Sequence, residues 1–251
     1  MDFSQNLTVP SVSSTPCQWY FCSLMAVYVF GIFYENEQFQ TNYVYDETVS
    51  GKGSDQINAM LHHFIKTVVV PIGKKKLVVY ADNCGGQNKN NLVIKFLLAQ
   101  VHMGVLERVD YKFFVKGHTK NSCDRGFGHI RKFLVRQDCW TLDHVVDAVM
   151  NSAPSNRTVH ISRDDAFFKG YKGLVKELNK NLTGVQQYQW FAMDASKPGV
   201  VECRKSPNTD AEEQNIRRNV DGVLTESDKV TRMFEHFLEL LPAPAVNMEK
   251  K

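Results

Sequence analysis

The residues of this sequence best equipped for chemistry are aspartates beside apolar runs. Asp82 closes "KLVVYAD" and is followed by "NCGGQNKNN", two glycines within a cluster of amides. An acid that ends a buried strand, with a flexible turn behind it, is how many α/β proteins place a charge where ligands bind. Asp124 lies in "GHTKNSCDRGFGHIRK", close behind His118, and Asp2 lies in "MDFSQNL". Brought together, three carboxylates can hold two Mg2+ or Mn2+ ions about 3.5 to 4 Å apart, which activate a water or hydroxyl and stabilise the leaving oxygen of a phosphodiester. Such paired ions remove the need for a nucleophilic side chain. His118 can orient a phosphate, pass a proton or bind metal. Gly85 and Gly86 can turn backbone amides toward a phosphate, and Asn83, Gln87, Asn88 and Lys89 around them are either phosphate contacts or plain turn residues.

Each acid taken singly is also what a turn or a helix cap requires, so the assignment depends on their acting together. Competing chemistries are poorly represented. The chain lacks GxxxxGK[ST], GxGxxG and GxSxG, which disfavours nucleotide sites of those types, an organic cofactor and a serine hydrolase. The net charge of +3 is mild but unevenly spread: residues 107–136 carry eight Lys or Arg against three acids. Lys112, Lys116, Lys120, Arg125, Arg131 and Lys132 are therefore the candidate nucleic-acid contacts, with DNA as the expected partner. The six cysteines show no CxxC pair and no framework, and are expected as free thiols in a reducing, nuclear or cytoplasmic compartment. The apolar run "CQWYFCSLMAVYVFGIF" is expected as a buried strand and not a membrane span. Homo-oligomerisation is left open.

The elements that must position these groups follow from periodicity. Residues 20–34 and 39–46 read as strands. Behind Ser54, read as the N-cap, Ile57, Met60, Leu61, Phe64, Ile65 and Val68 mark one face of a helix, and His62 and His63 beside that face are expected in solvent. "KLVVYA" is a strand whose uniform apolarity predicts burial on both faces. A helix over 90–102, the strand "RVDYKFFVKG" and a helix from "CDRGFGHIRKFLVRQ" follow. Further helices are expected at 141–151 and 164–180, a hairpin turning at 197–199, and a last helix behind Thr225. Three strands and then alternating helix and strand is the succession of the ribonuclease H fold, an α/β fold with one mixed sheet. That fold expects acids in the first strand, which is central in its sheet, at the end of the fourth, and on or just before the helix after the fifth, where Asp2, Asp82 and Asp124 fall.

The stretches "DFSQNL…P", "YVYDET…GSDQ", "VVYADNCGGQNKNN" and "FFVKGHTKNSCDRGFGHIRK" resemble an uncharacterised eukaryotic, transposon-derived domain of the ribonuclease H-like (DDE transposase and integrase) superfamily. The resemblance covers about residues 2–200. It implies a catalytic and metal-binding triad carried onto Asp2, Asp82 and Asp124, two Mg2+ or Mn2+ ions, and metal-dependent cutting or joining of DNA. The expected organisation is a core over 1–140 truncated at its N-terminus, a helical and hairpin extension over 141–204, a polar linker over 205–224, and a helix with its tail over 225–251. Only Met1 precedes Asp2, so the chain reads as a fragment of a longer ancestor. The alternative is a catalytically silent domain kept for binding nucleic acid or protein.

Overall fold

A computed structural model describes residues 1–12, 23–114, 122–220 and 222–245. Among these residues the strands form two mixed sheets and a small two-stranded one, accompanied by six α-helices. The chain divides into two compact units, one of residues 1–51, 120–166 and 242–251, the other of 52–119 and 167–241. Each unit draws on both the stretch read as core and the stretch read as extension.

Unit one is organised by β3 (Met25–Tyr34) and β4 (Phe39–Asp46), paired antiparallel from Val27–Asp46 to Tyr34–Phe39. Every residue of β4 is buried, as a Tyr- and Val-rich run between two neighbours demands. On its other side β4 pairs in parallel with β7 (Asn156–His160). The leading strand is in two pieces, β1 (Asp2–Phe3) and β2 (Leu7–Val9), both antiparallel to β3. Phe3 stands opposite Phe30 but Leu7 opposite Val27, so Ser4, Gln5 and Asn6 face only Tyr28 and Val29. The extra residue makes a β-bulge. These pieces lie at the end of the sheet, where the ribonuclease H-like succession expects a central strand.

Two helices cover one face of this sheet. The first is α3 (Ser122–Leu134), which buries Cys123, Phe127, Ile130 and Leu134; the second is α4 (Leu142–Asn151), capped by the Thr141 hydroxyl accepting the His144 amide at 3.3 Å. Close approach of α3 depends on Gly31 of β3, where a Cβ would stand 2.8 Å from the Phe127 ring and 2.9 Å from the Gln40 amide nitrogen.

Unit two is built around α2 (Asn91–His102), which is buried on all sides from Val93 to Val101 and is therefore a core helix. Against it lie α1 (Ser54–Phe64), α5 (Tyr171–Leu178), α6 (Ser227–His236) and a sheet of five strands. In that sheet β5 (Lys76–Ala81) pairs in parallel with β6 (Arg108–Phe113), and β6 antiparallel with β8 (Trp190–Asp194). The hairpin continues into β9 (Val200–Arg204), which β10 (Glu212–Asn215) extends. Residues 205–224, read from their polarity as a linker, thus carry β10 and the small hairpin of β11 (Asn219–Val220) and β12 (Val223–Leu224).

Three local expectations are corrected. Helix α1 runs into a π-helical turn at Ile65–Val69, whose extra residue turns Val69 inward in place of Val68. Its N-cap is Gly53, whose amide donates to the Gln56 side chain at 2.9 Å, and Ser54 is the first helical residue. Strand β5 ends its sheet and is buried on one face only, with Val78 51% and Tyr80 47% exposed. The described cysteines, Cys84, Cys123, Cys139 and Cys203, are free thiols. Among the described residues no helix is long and apolar enough to cross a membrane.

Candidate functional site

Asp82 stands immediately behind β5, exposed, at the carboxyl end of the parallel β5–β6 pair. The turn behind it is wound on one carbonyl: Cys84 O accepts the amides of Gln87 at 3.3 Å and of Asn88 and Lys89 at 2.9 Å each. Asn83, Gly85 and Gly86 are exposed. The amides that follow are used inside the fold. Asn90 caps α2, its side-chain oxygen accepting the Leu92 and Val93 amides at 2.9 and 3.2 Å, while its amide nitrogen donates to Ser54 Oγ and Gln87 O. Asn91 holds both backbone groups of Leu182. Lys89 is fully buried and donates to Gln186 O at 3.0 Å, and the Gln186 side chain returns a bond to Lys89 O at 2.9 Å. Burial pushes the Lys89 amine below its usual pKa. Asn88 is fully buried with its backbone carbonyl on the Tyr111 hydroxyl. Lys89 and Asn88 therefore serve the turn, and the open side of the loop is Asp82 to Gly86.

Beside that loop, unit two has a cavity of about 540 Å³ lined by Gly85, Gly86, Asp55, Lys95, Lys172 and Lys176 among others. Lys95 is 1% exposed, and its amine donates to Asn179 O at 2.9 Å and Asn181 Oδ1 at 2.7 Å. With no carboxylate in that pair of contacts, burial and then the nearby Arg218 and Lys176 lower its pKa to about 8. Asp55 Oδ1 accepts the Tyr171 and Lys172 amides and so caps α5. Three amines against one acid suit an anionic group.

Asp2 and Asp124 belong to unit one. Asp2 is half-buried in β1, its Oδ1 accepting the Phe3 amide at 2.8 Å. Its ladder partner is Gly31, and directly opposed residues of an antiparallel pair point to one face. That face is the one α3 covers, since Phe127 meets Gly31 there and the Cys123 thiol reaches Gly31 O at 3.5 Å. Asp124 follows Cys123, exposed, in the first turn of α3. Asp2 and Asp124 are thus brought to the same face of one sheet, whereas Asp82 belongs to the other unit. Among the described residues no group of three or more His, Cys, Asp or Glu side chains could hold a metal ion. The donor set itself, three carboxylates, is the oxygen chemistry that Mg2+ and Mn2+ take.

The basic candidates divide similarly. Arg125, Arg131 and Lys132 are exposed on α3 and none makes an ion pair among the described residues. Lys112 lies on β6 in unit two. Lys116, His118 and Lys120 lie outside the described residues.

Two residues of this region were not singled out by sequence reasoning. Lys95 was signalled by a lysine in the middle of "LVIKFLL". His62, expected in solvent, is packed between Phe96, Tyr171 and Phe234 with Nδ1 3.0 Å from the Tyr171 hydroxyl. Its neighbours come from α2, α5 and α6, which no local pattern connects to α1.

The fold and site define a two-unit mixed α/β protein with an exposed acid at a strand edge. Residues 21–210 match a domain family described as a domain of unknown function (DUF7869), and the chain belongs to that family. Asp82 and Asp124 lie inside the matched stretch, and Asp2 precedes it. Comparison with curated proteins and with solved structures gave no match.

Proposed function

We propose that this chain is a DNA-acting domain of ribonuclease H-like, transposase-derived ancestry, with Asp2, Asp82 and Asp124 as ligands of Mg2+ or Mn2+. The observation that carries the reading is Asp82, an exposed carboxylate at the carboxyl end of a parallel strand pair, which is the edge where open α/β sheets bind ligands. The succession of strands and helices around it supports the same ancestry, and the position of Asp2 and of the helix carrying Asp124 on one side of the same sheet supports their acting together. Bound ions would polarise the phosphodiester and supply a hydroxide at neutral pH. The exposed amines and guanidinia of α3 would hold the phosphate backbone. The test is incubation of the purified chain with end-labelled DNA and Mn2+. Cutting is expected, and Asp82→Asn should reduce it to background; equal cutting by both proteins would assign the activity elsewhere and remove the triad.

A second reading is a catalytically silent nucleic-acid binder. The observation in its favour is that the residues from Asn88 to Asn91 are committed to capping and clamping, while Arg125, Arg131 and Lys132 on α3 carry charge that no carboxylate of the described residues neutralises. Binding of DNA without cutting by the wild-type chain selects it.

A further inference from the structure

The sheet of unit two has one face covered by α2 and one face partly open. On the open face, strand register lines up Tyr80 of β5, Lys112 of β6, Trp190 of β8 and Arg204 of β9 as successive neighbours. Side chains in register share a face, so these four form one row of alternating aromatic and cationic groups. The Lys112 amine stands 4.1 Å from the Trp190 ring centre and 5.9 Å from that of Tyr80, and the Arg204 guanidinium 5.0 Å from Trp190. Phe114, just beyond β6, stacks on Tyr80 with 5.6 Å between centres and 25° between planes. The indole is further fixed by donating its Nε1 hydrogen to Asp110 at 2.8 Å.

The acids of this face do not neutralise the row. Asp110 and Asp194 pair with Arg108, and Glu202 and Glu213 pair with Lys197. Lys112 and Arg204 make no ion pair among the described residues. Tyr80 remains 47% exposed, with Val78 beside it. A row of held aromatic rings interleaved with cations that no carboxylate pairs suits a partner that has planar π faces and a negative backbone. Unpaired nucleotides have both, whereas a duplex keeps its base faces buried in its own stack. An apolar protein surface would leave the two cations desolvated without a counter-charge.

We propose that this row is a stacking platform for single-stranded DNA, with bases taking the places over Tyr80 and Trp190 that Lys112 and Arg204 hold, and those cations turning to the phosphates. The two aromatics are two strands apart, roughly 10 Å, a span covered by two or three splayed nucleotides. Tyr80 also lies two residues before Asp82, so a strand held on the row runs to the edge where that carboxylate stands. The inference rests on the proposed action on DNA but not on any chemistry by the three aspartates.

The test uses the full chain with a labelled oligothymidylate of about 12 nucleotides, the matching oligouridylate, and a duplex of equal length. The thymidylate should bind and quench tryptophan fluorescence. Tyr80→Ala and Trp190→Ala should each weaken that binding about ten- to a hundredfold, while Tyr80→Phe retains it and duplex binding stays as in the wild type. If Trp190→Ala loses the fold through its bond to Asp110, as circular dichroism would show, the surface substitution Tyr80→Ala decides alone. Unchanged thymidylate affinity in Tyr80→Ala, absence of thymidylate binding, or binding of oligouridylate in its place would overturn the proposal. Duplex binding or cutting that survives any of these outcomes leaves the proposed function standing.

Discussion

His62 shows how far a single ionisable group can be displaced by the company it keeps. Burial among Phe96, Tyr171 and Phe234, followed by the charges of Lys66 and Lys169 and by His63, lowers its pKa from 6.5 to about 4. Held neutral in the folded chain and free to charge when unfolded, it makes unfolding take up a proton between those two values. Stability should therefore be complete above about pH 6.5 and decline as pH falls toward 4, with about 2 kcal/mol lost between pH 7 and pH 5. Urea midpoints of wild type and His62→Gln at both pH values check this: the variant should lose the larger part of that pH dependence. A gap between the two proteins that is the same at pH 5 and pH 7 would mean that His62 does not exchange a proton on unfolding. His63 and His102 are shifted in the same direction by burial and account for part of what remains.

At the scale of the element, α3 is where sequence and structure agree most closely. Its apolar positions at Cys123, Phe127, Ile130 and Leu134 recur at helical spacing and are the residues buried against β3, so the outward set was readable as well. Electrostatic binding to DNA releases counterions, and each phosphate contact adds roughly 0.9 to the slope of log affinity against log salt. Replacing Arg131 and Lys132 with Glu should weaken duplex binding and flatten that slope by roughly 2, while Glu at Lys74 and Lys75, exposed before β5, should leave it nearly unchanged. Identical slopes for the two double variants would exclude α3 as the contact surface. The loop behind β5 was less legible. Its amides look like a ligand cradle because glycine and asparagine serve cradles and caps alike; Asn90 is turned to capping with its nitrogen on Ser54 of α1, and Asn91 to clamping by Leu182, from a segment about 90 residues away.

For the whole molecule, the order of elements was visible in the sequence as far as α4, but β7, the strands of residues 205–224 and the partners of the strands were not. Hydrophobic period reports which face of a strand is buried and says nothing of which strand lies beside it. Hence β5 was read as covered on both faces, whereas it ends its sheet. The same limit explains why residue 140 looked like the end of a core. In the fold, β4 completes its pairing only with β7, and β6 only with β8, both of which come after that point. A chain stopped at residue 140 would expose one side of β4, all of whose residues are buried, and one side of β6, leaving open ladders in both units. Residues 1–140 are therefore expected to be insoluble or to melt without a cooperative transition, while residues 1–245, which keep every described strand, should unfold cooperatively in urea. A soluble 1–140 fragment with a sharp transition and a dispersed amide spectrum would show that the early strands can close a sheet by themselves, and would restore the single-core organisation that the element order alone implies.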